Sequence, residues 1–564
     1  MSEKTEKPLD WRVSRRELLA GAVTVGAGAA GMALVGCNGD EEESADGGSQ
    51  QQATPQMTLE PRSGPPKNAI VVLLDSLNRH MLGCYGGTEF KTPNIDRFAQ
   101  RAVRFDSHYT GSLPCMPARH DFLCGSLDFL WKPWGSVEMW DNTLPFYLRD
   151  AKVTSMLISD HPHLFETGGE NYHTDFTAWQ YERGHESDPW QTHADPSWIG
   201  EPSIGLGREH DTYDNSRSYF RGEADYPGPR TMTAAVNWLD KSAVHHDRFF
   251  LFIDEFDPHE PFDTPEPYAS MYDDTWEGQP LIWPPYVDGG IAQGKLTERQ
   301  GQQVRAAYGG KLTMIDAWFG KLLDAIERNG LWGDTAVILC TDHGHYLGEK
   351  DIWGKPGVPG YEQMTHAPLL VAWPGIEPGT CSALTTACDI FSTLADFFGA
   401  KVTQRVHGRS IIPLLKGEAT SIRDYALTGV WGRQLNIISD GWKYARGPAS
   451  ANGPISLWSN RWSTMPVRGI GGLRLPLPDS RVFIDHMPGT TAPVLRQPYA
   501  AGEALPYLAF GAFSGNCLFN LKEDPNEDNN LIGSPKEAEM ADRLRQALRE
   551  LEAPDEQLVR LGLV

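Results

Sequence analysis

Basic charge is what this 564-residue chain has least of. Fifty Lys and Arg stand against 74 Asp and Glu, giving a formal net charge of −24. Nucleic acid and anionic membrane surfaces both demand basic patches, so neither is expected as a partner. An anionic small substrate stays compatible, because a few local cations suffice. Cysteine is also sparse, at eight residues. Setting Cys37 aside leaves seven, an odd number, so at least one thiol is unpaired unless a bond forms between chains. Beyond residue 66 the chain has no internal repeat and no low-complexity block. What is present is ordinary for a globular protein, with 40% hydrophobic and 22% charged residues in a length sufficient for a large core and two domains. Eighteen tryptophans and 41 prolines point to a loop-rich surface with aromatic-lined clefts.

Residues 1–37 read as a targeting segment and are set apart from the fold. Ser14-Arg15-Arg16-Glu17-Leu18-Leu19 resembles the twin-arginine export motif, and an uncharged Ala/Gly-rich stretch, Leu18 to Gly36, follows it. Leu34-Val35-Gly36-Cys37 resembles a bacterial lipobox, whose cysteine is lipidated and becomes the new N-terminus. A transmembrane anchor is the alternative, disfavoured by five glycines and the paired arginines. Either way the protein is expected outside the cytosol, in a bacterial cell envelope or periplasm. It would be exported by the twin-arginine translocase and touch membrane only through its N-terminal lipid or signal anchor. Residues 38–66 carry the acidic run Asp40-Glu41-Glu42-Glu43 followed by Gly, Ser, Gln and Pro, the composition of a disordered tether.

The remainder divides into residues 67–415 and 416–564. Residues 68–75 (NAIVVLLD) form an apolar run ending in an acid, as a buried parallel strand does. Residues 154–159, 248–254 and 335–342 look alike, and residues 367–372 make a shorter fifth run. Helical patterns intervene, notably over residues 310–329, where Leu312, Ile315, Phe319, Leu322, Leu323 and Ile326 share one face. This alternation implies an α/β domain on a large, mostly parallel sheet flanked by helices. After about residue 400 the segments shorten, as in an antiparallel sheet, and a helix opens at Ser534-Pro535-Lys536-Glu537, a capping-box pattern, giving a smaller α+β domain. In parallel sheets active sites lie beyond the carboxyl ends of the strands. Asp75, Asp254, Asp257 and Asp342 fall at or just after such ends, with His161, His163, His259 and His343 beside them.

Cys115-Met116-Pro117-Ala118-Arg119, followed by Phe122-Leu123-Cys124-Gly125, is similar to the signature of the sulfatases of the alkaline phosphatase superfamily. Other segments agree in order: Leu82-Gly-Cys-Tyr-Gly86 after Asp75, Lys91-Thr-Pro-Asn-Ile-Asp96, Asp257-Pro-His-Glu-Pro261, and Thr341-Asp-His-Gly344 with Gly354-Lys355 at the family's spacing. Leu518-Phe-Asn-Leu-Lys-Glu-Asp-Pro-Asn-Glu527 resembles its late "LYDLxxDPxE" element, so the likeness spans residues 67–564. The resemblance implies that Cys115 is oxidised to formylglycine by a formylglycine-generating enzyme. It also implies one divalent metal, calcium foremost with manganese or magnesium as alternatives, held by Asp75, Asp342, His343 and modified Cys115. Arg119 is expected to fix the nucleophile and Lys355 to hold the sulfate or leaving oxygen. His259 is expected to bind substrate and protonate the leaving alcohol.

Chemistry supports this set independently. A sulfate ester is anionic and its sulfur is shielded, so a site must neutralise charge and present a strong nucleophile. A hydrated formylglycine offers two hydroxyls, one to attack sulfur and one whose deprotonation expels the sulfate. The sequence departs from the family in three places: Ser76 replaces the second aspartate of the first strand end, Met116 is bulky, and Ser159-Asp160-His161-Pro162-His163 replaces the "GKxH" element. Spacing puts substrate-binding His161 at the lysine's position and catalytic His163 at the histidine's. The expected activity is hydrolysis of a sulfated small molecule or saccharide. The alternatives are a formylglycine phosphodiesterase or phosphonate monoester hydrolase and, behind these, a non-catalytic envelope binding protein. Residues 165–230, dense in His, Asp, Trp and Tyr, are either a substrate-side wall or a surface insertion.

Overall fold

A computed structural model describes residues 66–192, 211–279, 281–449, 451–463, 478–506 and 513–564. The export motif, Cys37 and nearly all of the expected tether lie outside the described residues. Eight strands form the central sheet in the spatial order Gly379–Thr386, Val103–Tyr109, Leu369–Ala372, Thr335–Cys340, Asn68–Leu74, Phe249–Glu255, Thr154–Ser159 and Ala178–Tyr181. All run the same way except Leu369–Ala372, which is antiparallel to both neighbours.

The strand Asn68–Leu74 explains the layering. Every residue in it is buried, because helices cover both faces of the sheet. Its period-two geometry sends Ile70, Val72 and Leu74 into one core and Ala69, Val71 and Leu73 into the other. The first core is closed by the helices Pro93–Ala99, Pro227–Lys241 and Glu298–Arg328, the second by Cys115–Cys124, Leu144–Asp150 and Cys388–Phe398. Each large aliphatic side chain sequestered this way stabilises the fold by roughly 1.5–3 kcal/mol.

Three strands of the central sheet escaped sequence reading. Val103–Tyr109, Ala178–Tyr181 and Gly379–Thr386 lie at or near the sheet edges, are partly exposed, and carry polar residues that break the apolar run. The run at residues 367–372 is a strand, but reversed. No crossover helix long enough to return the chain to the other end follows Cys340. Residues 341–368 instead make short strands and the turn carrying Lys355, so the chain re-enters from the same edge.

The C-terminal part builds a four-stranded antiparallel sheet, Ala426–Gly429, Leu435–Ser439, Trp442–Arg446 and Asn516–Asn520, and a three-stranded one of Ile455–Trp458, Pro493–Tyr499 and Phe483–His486. The helix Pro535–Glu550 buries Met540, Leu544 and Leu548 in a core that also takes in Leu127, Phe129 and Trp131. Its Ser534 makes no side-chain cap. Glu537 instead reaches back to the Gly533 N–H at 2.8 Å. The seven cysteines among the described residues are all free, so Cys115 is not held in a disulfide.

Candidate active site

Parallel register brings the acids together. Leu73 pairs with Asp254 on one side and with Cys340 on the other, so Asp75, Asp254 and the Asp342 that follows Cys340 emerge side by side. All three are fully buried. The helix Cys115–Cys124 starts at the same edge, with Cys115 in its first turn and Arg119 one turn on. Arg119 grips Asp254 with two bonds, Nε to Oδ2 at 3.0 Å and Nη2 to Oδ1 at 2.6 Å. Its Nη1 donates to Asp342 Oδ2 at 2.7 Å and to the Cys115 carbonyl at 3.2 Å, and Nη2 lies 3.0 Å from Asp75 Oδ2. Burial opposes the guanidinium charge, but the three carboxylates outweigh it and hold its pKa well up. Asp254, seen in the sequence only as an acid at a strand end, is the residue that aims Arg119.

Asp75, Cys115, Asp342 and His343 each place one donor atom within 4.8 Å of the others. The His343 Nδ1–H donates to the Gly344 carbonyl at 2.9 Å, which leaves the Nε2 lone pair facing Asp342 Oδ2 at 3.4 Å and Cys115 Sγ at 3.4 Å. Burial lowers His343 to about 4, so the ring is neutral, as a ligand must be. Asp75 Oδ2 is buried with no hydrogen bond, and burial together with the Asp342 charge pushes the Asp75 carboxyl well up. Two carboxylates and one imidazole nitrogen, with Asp75 Oδ2 held by the Arg119 ion pair but by no hydrogen bond, fit a divalent cation. Ser76, at φ 61°, gives its Oγ–H to Asp75 Oδ1 at 2.8 Å and accepts from Lys355 Nζ at 3.2 Å. It thus ties the lysine to the first strand end.

Above these groups opens a cavity of about 100 Å³, with Cys115, His163, His259 and Lys355 in its wall. Asp75, Arg119, Asp342 and His343 are buried beneath it. His161 is fully buried too, its Nε2 3.6 Å from Asp75 Oδ2 and both ring nitrogens without hydrogen bonds. Burial, then Arg119 and the neighbouring histidines, depress its pKa well below the usual value. His163 is opposite in character. Burial disfavours its charge, but Glu166 at Nδ1 and Glu186, 3.1 Å from Nε2, raise it to about 10. The His259 Nδ1–H donates to the Glu260 carbonyl at 2.7 Å and its ring stacks on Phe256 at 4.2 Å, while burial pushes it well down. Burial also opposes the Lys355 charge, but Glu260 and further partners raise it well up.

A family model described as Sulfatase matches residues 67–400. The chain belongs to the sulfatase family. It is 25% identical over 414 residues to choline-sulfatase of Rhizobium meliloti (strain 1021), covering 68% of this chain and 78% of that one. It is 24% identical over 392 residues to an arylsulfatase of Clostridium perfringens (strain 13 / Type A), covering 64% and 80%. Its fold is similar to that of the phosphonate monoester hydrolase of Agrobacterium radiobacter, with a TM-score of 0.58 at 18% identity over 86% of this chain and 95% of that one. This sulfatase is accordingly a sulfuric ester hydrolase on an alkaline phosphatase-like fold.

Sequence reasoning missed much of the cavity wall. Trp134 and Tyr286 line it, as does Glu186, the one wall residue from the described part of residues 165–230. Glu186 follows His185 in an acidic, aromatic stretch, a signal too diffuse to single it out. Arg433, Gln434 and Asn436 of the C-terminal part line the far side. Nothing in the sequence signals them, because they lie more than 300 positions from Cys115.

Proposed function

We propose that this sulfatase hydrolyses a sulfate ester to an alcohol and inorganic sulfate, using formylglycine at position 115 beside one bound divalent metal, calcium by preference. The observation that carries the reading is the convergence of Asp75, Cys115, Asp342 and His343 beneath a cavity walled by Lys355, His163 and His259. Asp75, Asp342 and His343 would hold the metal. When bound, a divalent cation supplies fixed positive charge that stabilises negative charge developing on oxygen. The unmodified thiol is a poor substitute for formylglycine, since burial and the charges of Asp75 and Asp342 push it well up and keep it protonated.

The chain's own residues then divide the work. Arg119 neutralises the strand-end acids and fixes the start of the nucleophile's helix through the Cys115 carbonyl. Lys355 and protonated His163 supply the two cations facing an anionic sulfate, in a site where water no longer screens them. His259 has Nδ1–H committed to Glu260, so Nε2 is where it takes up and releases a proton. A bound sulfate's negative charge raises its proton affinity, and from Nε2 the proton passes to the departing alcohol oxygen.

The twin-arginine and lipobox patterns support export by the twin-arginine translocase and lipid anchoring at Cys37, in the envelope or periplasm. Because that route carries folded proteins, a formylglycine-generating enzyme would act before export. A phosphodiesterase or phosphonate monoester hydrolase is the second reading. It is favoured by Ser76 in place of an acid and by a neutral His161 where the family has lysine. The deciding experiment compares kcat/KM for an aryl sulfate and a matched aryl phosphodiester in wild type and in His161→Lys. Sulfate preference in the wild type, rising in His161→Lys, is expected. A phosphodiester preference of tenfold or more, about 1.4 kcal/mol in the transition state, overturns the reading.

A further inference from the structure

A lysine inside the helix Glu298–Arg328 holds the loop that carries His259. Lys311 is 2% exposed, and lysine is almost never so buried unless it is paired. Its Nζ lies 2.7 Å from Asp257 Oδ1 and donates to the Pro261 carbonyl at 2.8 Å. Asp257 stands two residues before His259, and Pro261 two residues after it. One ammonium therefore clasps both ends of the loop over residues 257–261. The helix is shaped for this approach. A Cβ at Gly310, beside Lys311, would stand 2.4 Å from the Tyr268 carbonyl oxygen, a separation that only glycine tolerates.

The clasp reaches the His259 imidazole by two routes. The first is the backbone. The Glu260 carbonyl accepts His259 Nδ1–H at 2.7 Å, and the carbonyl of the next peptide group, that of Pro261, is the one Lys311 holds. The second runs through packing. Asp257 Oδ1 also accepts from His185 Nε2 at 2.8 Å. Burial, then the Lys311 charge, lowers the pKa of His185, so its ring is neutral and Nε2–H is the donor. The His185 ring packs T-shaped on Phe256 with centroids 4.7 Å apart, and His259 stacks on that same Phe256 at 4.2 Å. Burial disfavours the Asp257 charge, but Lys311 and His185 outweigh it and keep the carboxyl below its usual range.

We propose that Lys311 is a positioning residue for the leaving-group proton, setting the loop so that His259 Nε2 stands within reach of the departing alcohol oxygen. In that step the bond between sulfur and the alcohol oxygen breaks as the nucleophile's oxygen bonds to sulfur. The electron pair goes to the alcohol oxygen. The proton from His259 Nε2 joins it there and leaves the imidazole neutral. A proton donor works only within hydrogen-bond reach, about 2.6–3.2 Å, and a misplacement of ~1 Å costs on the order of 100-fold. Lys311 acts on the substrate only through the loop it clasps. The proposal rests on the reading of His259 as the proton donor.

The test pairs para-nitrophenyl sulfate, whose oxygen leaves readily as an anion, with phenyl sulfate, whose oxygen leaves poorly without a proton. Lys311→Met should lower kcat/KM on the order of 100-fold for phenyl sulfate and by less than about tenfold for the nitrophenyl ester. His259→Gln should show the same asymmetry. In the His259→Gln background, Lys311→Met should cost phenyl sulfate at most about threefold more, because the proton it places is already gone. Lys311→Met leaves the Asp257 charge buried and unpaired, so Lys311→Met/Asp257→Asn, which removes both charges, is measured beside it and should give the same ratio. Equal losses for the two esters in both Lys311 variants, with His259→Gln still asymmetric, would reduce Lys311 to a structural ion pair and overturn the proposal alone. So would a full 100-fold loss added on top of His259→Gln. A uniform loss in His259→Gln would instead remove His259 as the proton donor, and the proposal with it.

Discussion

The rings of His161 and His163 sit with centroids 5.2 Å apart and hold opposite charge states. His161 is sealed beside Asp75 and stays neutral, whereas His163 is clasped by Glu166 and Glu186 and stays protonated. The cation that the family's lysine would bring to this loop is therefore supplied two positions later, by an imidazole.

That assignment has a pH signature. His163 is raised from a usual value near 6.5 to about 10. Its pairing stabilises the folded state fully below pH 6.5, and that contribution is lost as pH rises through about 10. Activity should accordingly hold from pH 7 to about pH 9. Glu186→Gln, which removes one of the two carboxylates, should move the alkaline limb of kcat/KM downward. A limb at the same pH in that variant would assign it to another group.

Removal of the Arg119 charge should destabilise the fold most when no metal is bound. Arg119→Met leaves Asp75, Asp254 and Asp342 buried without their shared counter-ion, at an expected cost of about 3–5 kcal/mol. Denaturant unfolding in chelator should show this loss, and added calcium should recover part of it. Equal loss with and without calcium would place the metal elsewhere.

Chelation should abolish turnover, with calcium restoring it. Asp342→Ala should lose bound metal by elemental analysis and lose activity together. The loss should exceed the roughly 10–100-fold typical of a residue that only orients a ligand. An active, metal-loaded Asp342→Ala would remove Asp342 from the ligand set.

Protein produced with a formylglycine-generating enzyme should carry, in the peptide spanning residue 115, oxygen in place of sulfur and two fewer hydrogens. Cys115→Ala should lose all turnover above background. Full activity in protein whose mass spectrum shows only the thiol would end the proposed mechanism.

Local order made much of this protein legible in its sequence. Apolar runs closing on acids marked the strands Asn68–Leu74, Phe249–Glu255 and Thr335–Cys340, because a strand covered on both faces has no room for polar residues until it leaves the sheet. The same logic placed Asp75, Asp342 and His343 at one edge, and the motif around Cys115 and Arg119 marked the helix that starts there. Edge strands such as Ala178–Tyr181 were illegible, since partial exposure removes the hydrophobic pattern. Charge states were decided by tertiary structure alone. His161 and His163 are the same residue type two positions apart, and only the burial of one and the carboxylates closed around the other separate them. The far wall of the cavity was decided there as well. Arg433, Gln434 and Asn436 reach it because backbone hydrogen bonds from Gly429 to Gly111 and Leu113 fasten a distant hairpin to the nucleophile's approach. No local pattern encodes such a pairing, since its partners meet only once the sheet has formed.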